Sequence, residues 1–233
     1  MTVTLKVTVI YRETMIVKIC GIKTLEIALA SVESGADMLG FNFYPPSSRY
    51  IDPKDCAEIV TSIRSQVASG KLQAASFTTV GVFVNEPADR IRKIMTFCNL
   101  DLAQLAGDES PQDLAALEGK ALKAVRPNSL TEADDQLELF SRSQAPALLV
   151  DAHVKGAYGG TGETGDWSIA QHLAAQAPIL LAGGLNPENV TAAVAAVNPW
   201  GVDVASGVES SPGIKDPSKI SAFISAARSN AKH

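Results

Sequence analysis

Short apolar runs alternate with helix-like segments eight times between residues 16 and 227, and this repetition constrains the fold more than any other feature. The runs are rich in Val, Ile, Leu and Phe, which suits buried strands. The longer segments place their apolar residues on one side, as amphipathic helices do. The predicted strands are 16–20, 38–43, 79–84, 102–106, 121–126, 147–151, 179–182 and 201–204. The predicted helices are 25–34, 53–67, 87–97, 111–117, 131–140, 168–175, 187–197 and 216–227.

Strands that alternate with helices indicate a parallel sheet. Eight such units in a chain of 233 residues predict an α/β fold that is a single-domain (β/α)8 TIM barrel. A doubly wound open sheet is the competing architecture. The count of eight units favours the barrel, and so does the spread of polar residues over many strand ends.

The first residues stand apart from this pattern. Residues 1–14 alternate apolar and polar side chains, as an extra strand does, and lack the apolar region and cleavage site of a signal peptide. Met15 directly precedes the first convincing strand. We therefore expect residues 1–14 to be an N-terminal appendage, for example from an upstream start codon, and residues 15–233 to form the barrel that carries the catalytic site.

Charge and cysteine usage exclude several classes of function. The formal net charge is −5 and the pI is about 5.2, so we expect neither nucleic acid nor membrane as a partner. No apolar run approaches the roughly 18 residues of a membrane span. The three cysteines, Cys20, Cys56 and Cys98, lie far apart without CxxC spacing. This argues against a disulfide framework or a zinc site and for a reducing compartment, which we take to be the cytoplasm.

Active sites of barrels form where the strands end, so the residues at those positions are candidates. Each has a plainer interpretation. Cys20 can be a small buried apolar residue, Asp151 can cap its own loop, Arg49 can be a solvated surface charge, and Arg126 can pair with a nearby carboxylate. The strand-end candidates are Cys20, Asn42 with the Arg49 loop, Asn85, Gln104, Arg126, Asp151, Gly183, Gly184, Ser206 and Gly207.

Glycines after the seventh and eighth predicted strands suggest an anion site. Gly183 and Gly184 follow the seventh strand, and Ser206 and Gly207 follow the eighth. Phosphate sites of barrels use free backbone amides and a short helix at this place. Gly183 and Gly184 can also simply end a strand tightly, so the pattern is moderately specific.

The strand ends together resemble one family, phosphoribosylanthranilate isomerase. The resemblance covers about residues 16–228, in the order of the family, and as a set its motifs are highly specific. The motifs are KICGI at 18–22, GFNF at 40–43 with SRY at 48–50, GVFVN at 81–85, QL at 104–105 with GDE at 107–109, LVDA at 149–152, GGTG at 159–162 with DW at 166–167, LAGGLNPENV at 181–190, and GVDV at 201–204 with SGVE at 206–209.

The resemblance implies an Amadori rearrangement in tryptophan biosynthesis, without metal or organic cofactor. It implies that Asp151 is the general acid at the furanose oxygen and that Cys20 is the general base for the C2 proton. Both pKa values are then expected to be shifted toward the working pH in the complex. Arg49 matches the residue that binds the anthranilate carboxylate.

The remaining matched residues imply a phosphate and ribose site. Two positions depart from the family pattern, Ala106 where a His is common and Gly165 where a Phe is frequent. The implied phosphate and ribose residues are Gly160, Gly162, Gly183, Gly184, Asp203, Ser206 and Gly207.

Two other functions remain open from the sequence. The related barrel isomerase of histidine biosynthesis uses an aspartate in place of Cys20 and has two phosphate sites, whereas this chain shows one clear site. A catalytically silent phosphosugar-binding protein is the second alternative, motivated by Ala106 and Gly165. In each case the partner is a small phosphosugar, and the chain is expected to be a monomer or a homodimer.

Overall fold

The computed structural model describes residues 15–72, 76–152 and 167–229. Eight parallel strands pair in sequence order, and the first pairs with the eighth, so the sheet is a closed barrel. The barrel prediction is therefore confirmed, and the open sheet is excluded. The strands are β1 Ile16–Cys20, β2 Met38–Asn42, β3 Thr78–Phe83, β4 Leu102–Leu105, β5 Ala121–Val125, β6 Leu148–Asp151, β7 Ile179–Ala182 and β8 Gly201–Val204.

One α-helix follows each strand of the barrel. The first two begin with side-chain caps: Thr24 accepts a hydrogen bond from the Ile27 amide, and Asp52 accepts one from the Lys54 amide next to a first-turn proline. No helix in the described part of the chain is long and apolar enough to cross a membrane. The helices are α1 Leu25–Glu33, α2 Pro53–Ala68, α3 Ala88–Cys98, α4 Pro111–Ala115, α5 Leu130–Phe140, α6 Ser168–Ala174, α7 Val190–Val197 and α8 Pro217–Arg228.

The apolar core has two separate layers because successive strand residues point to opposite faces of the sheet. One cluster fills the floor of the barrel, with Ile16, Leu102 and Leu149 among its members. The larger cluster lies between the strands and the helices and includes Val17 and Val150. This alternation determines whether each later residue of a strand points into the barrel or towards the helices. Residues two positions after a floor residue point into the barrel, nearer its mouth.

Two local features differ from the prediction. The seventh helix begins at Val190 rather than at 187, because the Asn186 side chain accepts hydrogen bonds from the Glu188 and Asn189 amides and holds a turn there. A one-turn 3-10 helix, Ser206–Val208, and a small antiparallel pair, β9 Glu209–Ser211 and β10 Ile214–Lys215, follow β8. This pair was not predicted, and it places two charged side chains beside the barrel mouth.

Candidate active site

Cys20 and Asp151 are the last residues of β1 and β6, at the C-terminal end of the barrel. Ile16 and Leu149 belong to the barrel floor, so the alternation turns Cys20 and Asp151 inward as well. Their strands stand three steps apart around the ring of eight. The barrel thus brings the thiol and the carboxylate to the same mouth from distant parts of the chain.

The Cys20 side chain lies almost completely inside the protein, with 7% of the residue exposed. Burial raises the pKa of its thiol, while the charge of the Lys18 ammonium opposes that rise. The shift toward the working pH was expected for the complex with substrate, and it stays a prediction. Cys20 is buried, as the plainer interpretation held, but its neighbour is a cation rather than an apolar side chain.

A buried polar network lies one layer below Cys20. The Lys18 Nζ atom is 2.6 Å from Asp203 Oδ1 and 2.9 Å from Gln104 Oε1. Lys18 and Asp203 are register partners on β1 and β8. We expected Asp203 to orient ribose hydroxyls or loop amides. The structure pairs its carboxylate with the lysine inside the barrel, and the expected role toward the ribose or the loop stays a prediction.

Asp151 forms an ion pair at the rim. The Arg126 Nε atom, at the end of β5, lies 2.7 Å from Asp151 Oδ2. Arg126 is mostly exposed, whereas Asp151 is largely covered. The interpretation that Arg126 pairs with a nearby carboxylate is confirmed, and its partner is the carboxylate that we predicted as the general acid.

Arg49 is fixed by a bidentate ion pair. Its Nε and one terminal nitrogen donate to the two carboxylate oxygens of Glu209 at 2.7 and 2.8 Å. Lys215 donates to the same carboxylate at 2.8 Å, and both Glu209 and Lys215 are buried. These hydrogen bonds outweigh burial and hold the pKa of the Glu209 carboxyl below its usual range. Arg49 is therefore not a freely solvated surface charge.

The loops after β7 and β8 meet at a position that suits a phosphate. Gly183 and Gly184 have φ angles of +98° and +66°, a region that favours glycine. A Cβ atom on Gly207 would lie 1.9 Å from the Leu185 carbonyl oxygen, so only glycine lets the two loops approach. Ser206 opens the 3-10 helix at the same place. The predicted residues Gly160 and Gly162 lie outside the described part of the chain.

Lys18, Glu209 and Lys215 received no role from the sequence, although two of them stand in the recognised motifs. Lys18 interrupts an apolar run two positions before Cys20, so it had to face inward, and that was a readable signal. Glu209 and Lys215 lie in strands of three and two residues, too short for a pattern. Among the described residues, no group of three or more His, Cys, Asp or Glu is placed to hold a metal ion.

Comparison with known protein families shows which family this chain resembles over the barrel. The model of the family described as N-(5'-phosphoribosyl)anthranilate (PRA) isomerase matches residues 17–226, nearly the whole barrel. The chain belongs to the phosphoribosylanthranilate isomerase family. This match covers every site residue discussed above, including the two proton-transfer candidates Cys20 and Asp151.

Relatives in the phosphoribosylanthranilate isomerase family align over almost their full length. The isomerase of Roseiflexus sp. (strain RS-1) is 49% identical over 221 residues, covering 93% of this chain and 99% of the relative. That of Geobacter metallireducens is 43% identical over 212 residues, covering 91% and 98%. The crystal structure of the Thermotoga maritima isomerase has a TM-score of 0.77 at 38% identity, covering 91% of this chain and 98% of its own.

A further similar structure contains a ligand. It is a phosphoribosylanthranilate isomerase in complex with reduced 1-(o-carboxyphenylamino)-1-deoxyribulose 5-phosphate, with a TM-score of 0.74 and 36% identity. Its alignment covers 91% of this chain and 98% of that one. The match extends the family likeness to a protein seen with an analogue of a phosphosugar.

Proposed function

We propose that this chain catalyses the Amadori rearrangement of N-(5-phosphoribosyl)anthranilate to 1-(2-carboxyphenylamino)-1-deoxyribulose 5-phosphate in tryptophan biosynthesis. The observation that carries the proposal is the placement of Cys20 and Asp151 at the same barrel mouth in a chain of this family. The substrate is a small phosphosugar, and the chemistry needs two positioned proton carriers and no external oxidant or reductant, because C2 is oxidised as C1 is reduced.

Asp151 is proposed as the general acid that opens the furanose. Its proton goes to the ring oxygen as the C1–O bond breaks, and the anthranilate nitrogen forms a protonated Schiff base with C1. A general acid must face the atom that it protonates, whereas Asp151 is paired with Arg126 at the rim. The proposal therefore includes a change of partner for Asp151, from the exposed Arg126 to the substrate.

Cys20 is proposed as the general base that takes the C2 proton from the Schiff base. The electron pair of the C2–H bond then forms a C1=C2 double bond, and the electrons of the C=N bond return to nitrogen. The resulting enolamine takes up a proton at C1 and loses the proton of its C2 hydroxyl, which gives the ketone of the product. A base must be a thiolate at that moment, and the iminium charge of the substrate favours that form. The buried position of Cys20 keeps water away from the proton transfer.

Arg49 is proposed to bind the anthranilate carboxylate. A guanidinium has five N–H donors, and Glu209 takes two of them along one edge. The end of the guanidinium, with one N–H on each terminal nitrogen, stays suited to a second bidentate carboxylate. Gly183, Gly184, Ser206 and Gly207 are proposed to bind the phosphate, and Gly160 and Gly162 to lie beside it, while Asp203 supports the site through Lys18.

Replacing Arg49 with lysine is expected to raise the KM by about tenfold or more, with a smaller change in kcat. A lysine keeps the charge but loses the planar fork, so it cannot hold both Glu209 and the substrate carboxylate bidentately. Steady-state kinetics measure the effect. Arg64→Lys is the matched control, since Arg64 also pairs with a carboxylate, Asp101. An equal KM increase in the control would contradict the proposed role.

Turnover itself is tested with phosphoribosylanthranilate made in situ, whose anthranilate fluorescence falls as it rearranges. Loss of fluorescence dependent on this chain supports the isomerase. A folded chain that binds the reduced product analogue in calorimetry without turning over the substrate would instead identify the silent phosphosugar-binding protein. In that case Ala106→His is the first reversion to make, because a His is common there in the family.

The catalytic unit is proposed to begin near Met15. The family match starts at residue 17 and β1 at Ile16, so residues 1–14 precede every element used by the site. Deleting residues 1–14 is expected to leave turnover within about twofold and thermal stability nearly unchanged, as for a segment outside the domain. Activity assays and thermal unfolding measure this. Loss of folded protein would place these residues within the catalytic unit.

We further propose that the chain acts in the cytoplasm, on a free metabolite, and without nucleic acid or membrane partners. The net charge of −5 supports the absence of a general attraction to polyanions. Its assembly is a monomer or a homodimer. A similar structure, with a TM-score of 0.73 and 36% identity over 91% of this chain and 98% of its own, is of monomers generated from the dimeric Thermotoga maritima isomerase. Sedimentation equilibrium separates the two states.

A further inference from the structure

Lys18 is a charged residue inside the barrel, where none of its side chain is exposed. An isolated ammonium in such a place is strongly unfavourable, so a buried lysine must be paired and hydrogen-bonded. Burial alone would lower the pKa of Lys18, yet Asp203 and Cys20 more than offset this and keep its pKa above the usual value. Lys18 is thus held as a cation in the layer directly below the proposed base.

Two of the three hydrogens of the Lys18 ammonium are donated to acceptors on other strands. Asp203 Oδ1 lies at 2.6 Å and Gln104 Oε1 at 2.9 Å, which leaves the third hydrogen for the nearby Cys20 side chain. Lys18 and Cys20 are two apart on β1, so they point to the same face. Asp203 and Gln104 hold the cation from β8 and β4.

Gly40 leaves the space that this contact needs. It is the register partner of Cys20 on β2. A Cβ atom at Gly40 would lie 2.9 Å from Cys20 Sγ and 3.2 Å from Lys18 Nζ. Both the sulfur and the ammonium therefore border the same small space beside the glycine. A side chain at this position would press on both atoms, so the glycine allows the sulfur and the ammonium to lie close together.

We propose that Lys18 is a positioning residue for the reaction, which stabilises the thiolate of Cys20 by charge and a hydrogen bond while Asp203 and Gln104 hold its ammonium in place. The inference rests on the proposed role of Cys20 as base. Lys18 itself touches no substrate; it acts through the sulfur. A base that sits in an apolar barrel needs such a partner, since burial disfavours the charged thiolate.

Four charged groups in the described part of the chain act on Cys20. Lys18 and Lys215 favour the thiolate, and Asp203 opposes it. Arg49 is the fourth, through its charge interaction with the sulfur. Glu209 neutralises both Arg49 and Lys215 by direct ion pairs. Lys18 has the largest of these charge effects on the sulfur and is ion-paired with Asp203, so its removal leaves Asp203 as an unbalanced negative charge one layer below.

The test is Lys18→Met, which keeps the length of the side chain and removes the cation. The thiol of Cys20 is titrated by thiolate absorbance near 240 nm, with Cys20→Ser in the same background subtracted. We expect the titration midpoint to rise by about one pH unit or more, so that tenfold less thiolate is present at a given pH. The acidic limb of kcat/KM against pH is expected to shift upward in parallel.

Lys123→Met is the matched control. Lys123 is also a buried lysine with a carboxylate, Glu109, at 2.6 Å, but it faces away from the barrel interior, towards the Phe140 ring. The same substitution there disturbs a comparable ion pair without touching Cys20. The titration midpoint of Cys20 in Lys123→Met should equal that of the wild type. An equal shift in both variants, or no shift in folded Lys18→Met, would overturn the proposal.

Lys18→Met can fail to fold because it leaves the Asp203 carboxylate unpaired in the barrel. The double variant Lys18→Met, Asp203→Asn removes both charges and avoids this. A smaller upward shift of the Cys20 midpoint is expected in it, and an unchanged or lowered midpoint would refute the inference. The thiol titration needs no substrate, so it gives its answer even if the wild type shows no isomerase turnover.

Discussion

Cys20→Ser is expected to lower kcat for the rearrangement by at least about a hundredfold, the usual contribution of one general base. Serine has nearly the same shape, but its hydroxyl ionises far less readily than a thiol. In the proposed mechanism the Lys18 ammonium favours the thiolate of Cys20, but its charge is too weak an effect to ionise a serine hydroxyl. Single-turnover measurement of the fluorescence loss isolates the chemical step from product release.

Cys98→Ser is the control for this substitution. Cys98 is as buried as Cys20, but it lies at the end of α3, where its sulfur contacts the Pro53 carbonyl oxygen at 3.2 Å. A serine there can donate the same hydrogen bond, so turnover should stay near the wild-type value. If Cys20→Ser retained more than about a tenth of wild-type turnover, the C2 proton would have to be removed by another group.

Asp151→Asn is the second substitution with a large expected effect, again a fall of at least about a hundredfold in kcat. The amide keeps an oxygen that can accept from Arg126 Nε, so the rim geometry is preserved. It cannot release a proton to the furanose oxygen. Ring opening should therefore become the slow step, and it is measured as loss of turnover with little change in binding of the reduced product analogue.

The pair of Asp134 and His172 offers a control for Asp151→Asn. Asp134 on α5 accepts from His172 on α6 at 2.6 Å, away from the barrel mouth. Asp134→Asn changes a paired aspartate in the same way and should leave kcat unchanged. Wild-type turnover in Asp151→Asn would remove this residue from the mechanism. An already open substrate analogue does not need the ring-opening step. If Asp151 is the general acid for that step, Asp151→Asn should turn over this analogue.

Most of the fold follows from local pattern. The strand and helix positions could be predicted because each buried strand is a short apolar run and each helix has an apolar side, for example Ile59 and Ile63 on α2. The start of α7 was placed three residues too early because a proline at 187 resembles a first-turn proline, whereas the Asn186 side chain binds the next amides and delays the helix. The β9–β10 pair is too short to show any periodicity.

Like the fold, the candidate site could be predicted from the sequence only in part. Cys20 and Asp151 were predicted because they end strands, which is a local property. Apart from the pairing of Arg126 with a carboxylate, the ion pairs around the site were not predicted, since they join residues far apart in sequence. Lys18 and Asp203 are separated by 185 positions, and Arg49 and Glu209 by 160. Contacts of this kind depend on barrel closure and register, which no single stretch of sequence contains.

The ion pair of Lys18 and Asp203 lies where the first strand of the barrel meets the last. The ion pair therefore also joins the first and last strands of the folded domain. A disturbance that loosens this seam, even one that begins at α1 or α8 on the outer surface, would change the ionic surroundings of Cys20 at the same time. Closure of the barrel and the ionisation of the proposed base, Cys20, depend on the same two side chains, so selection for either one acts on both.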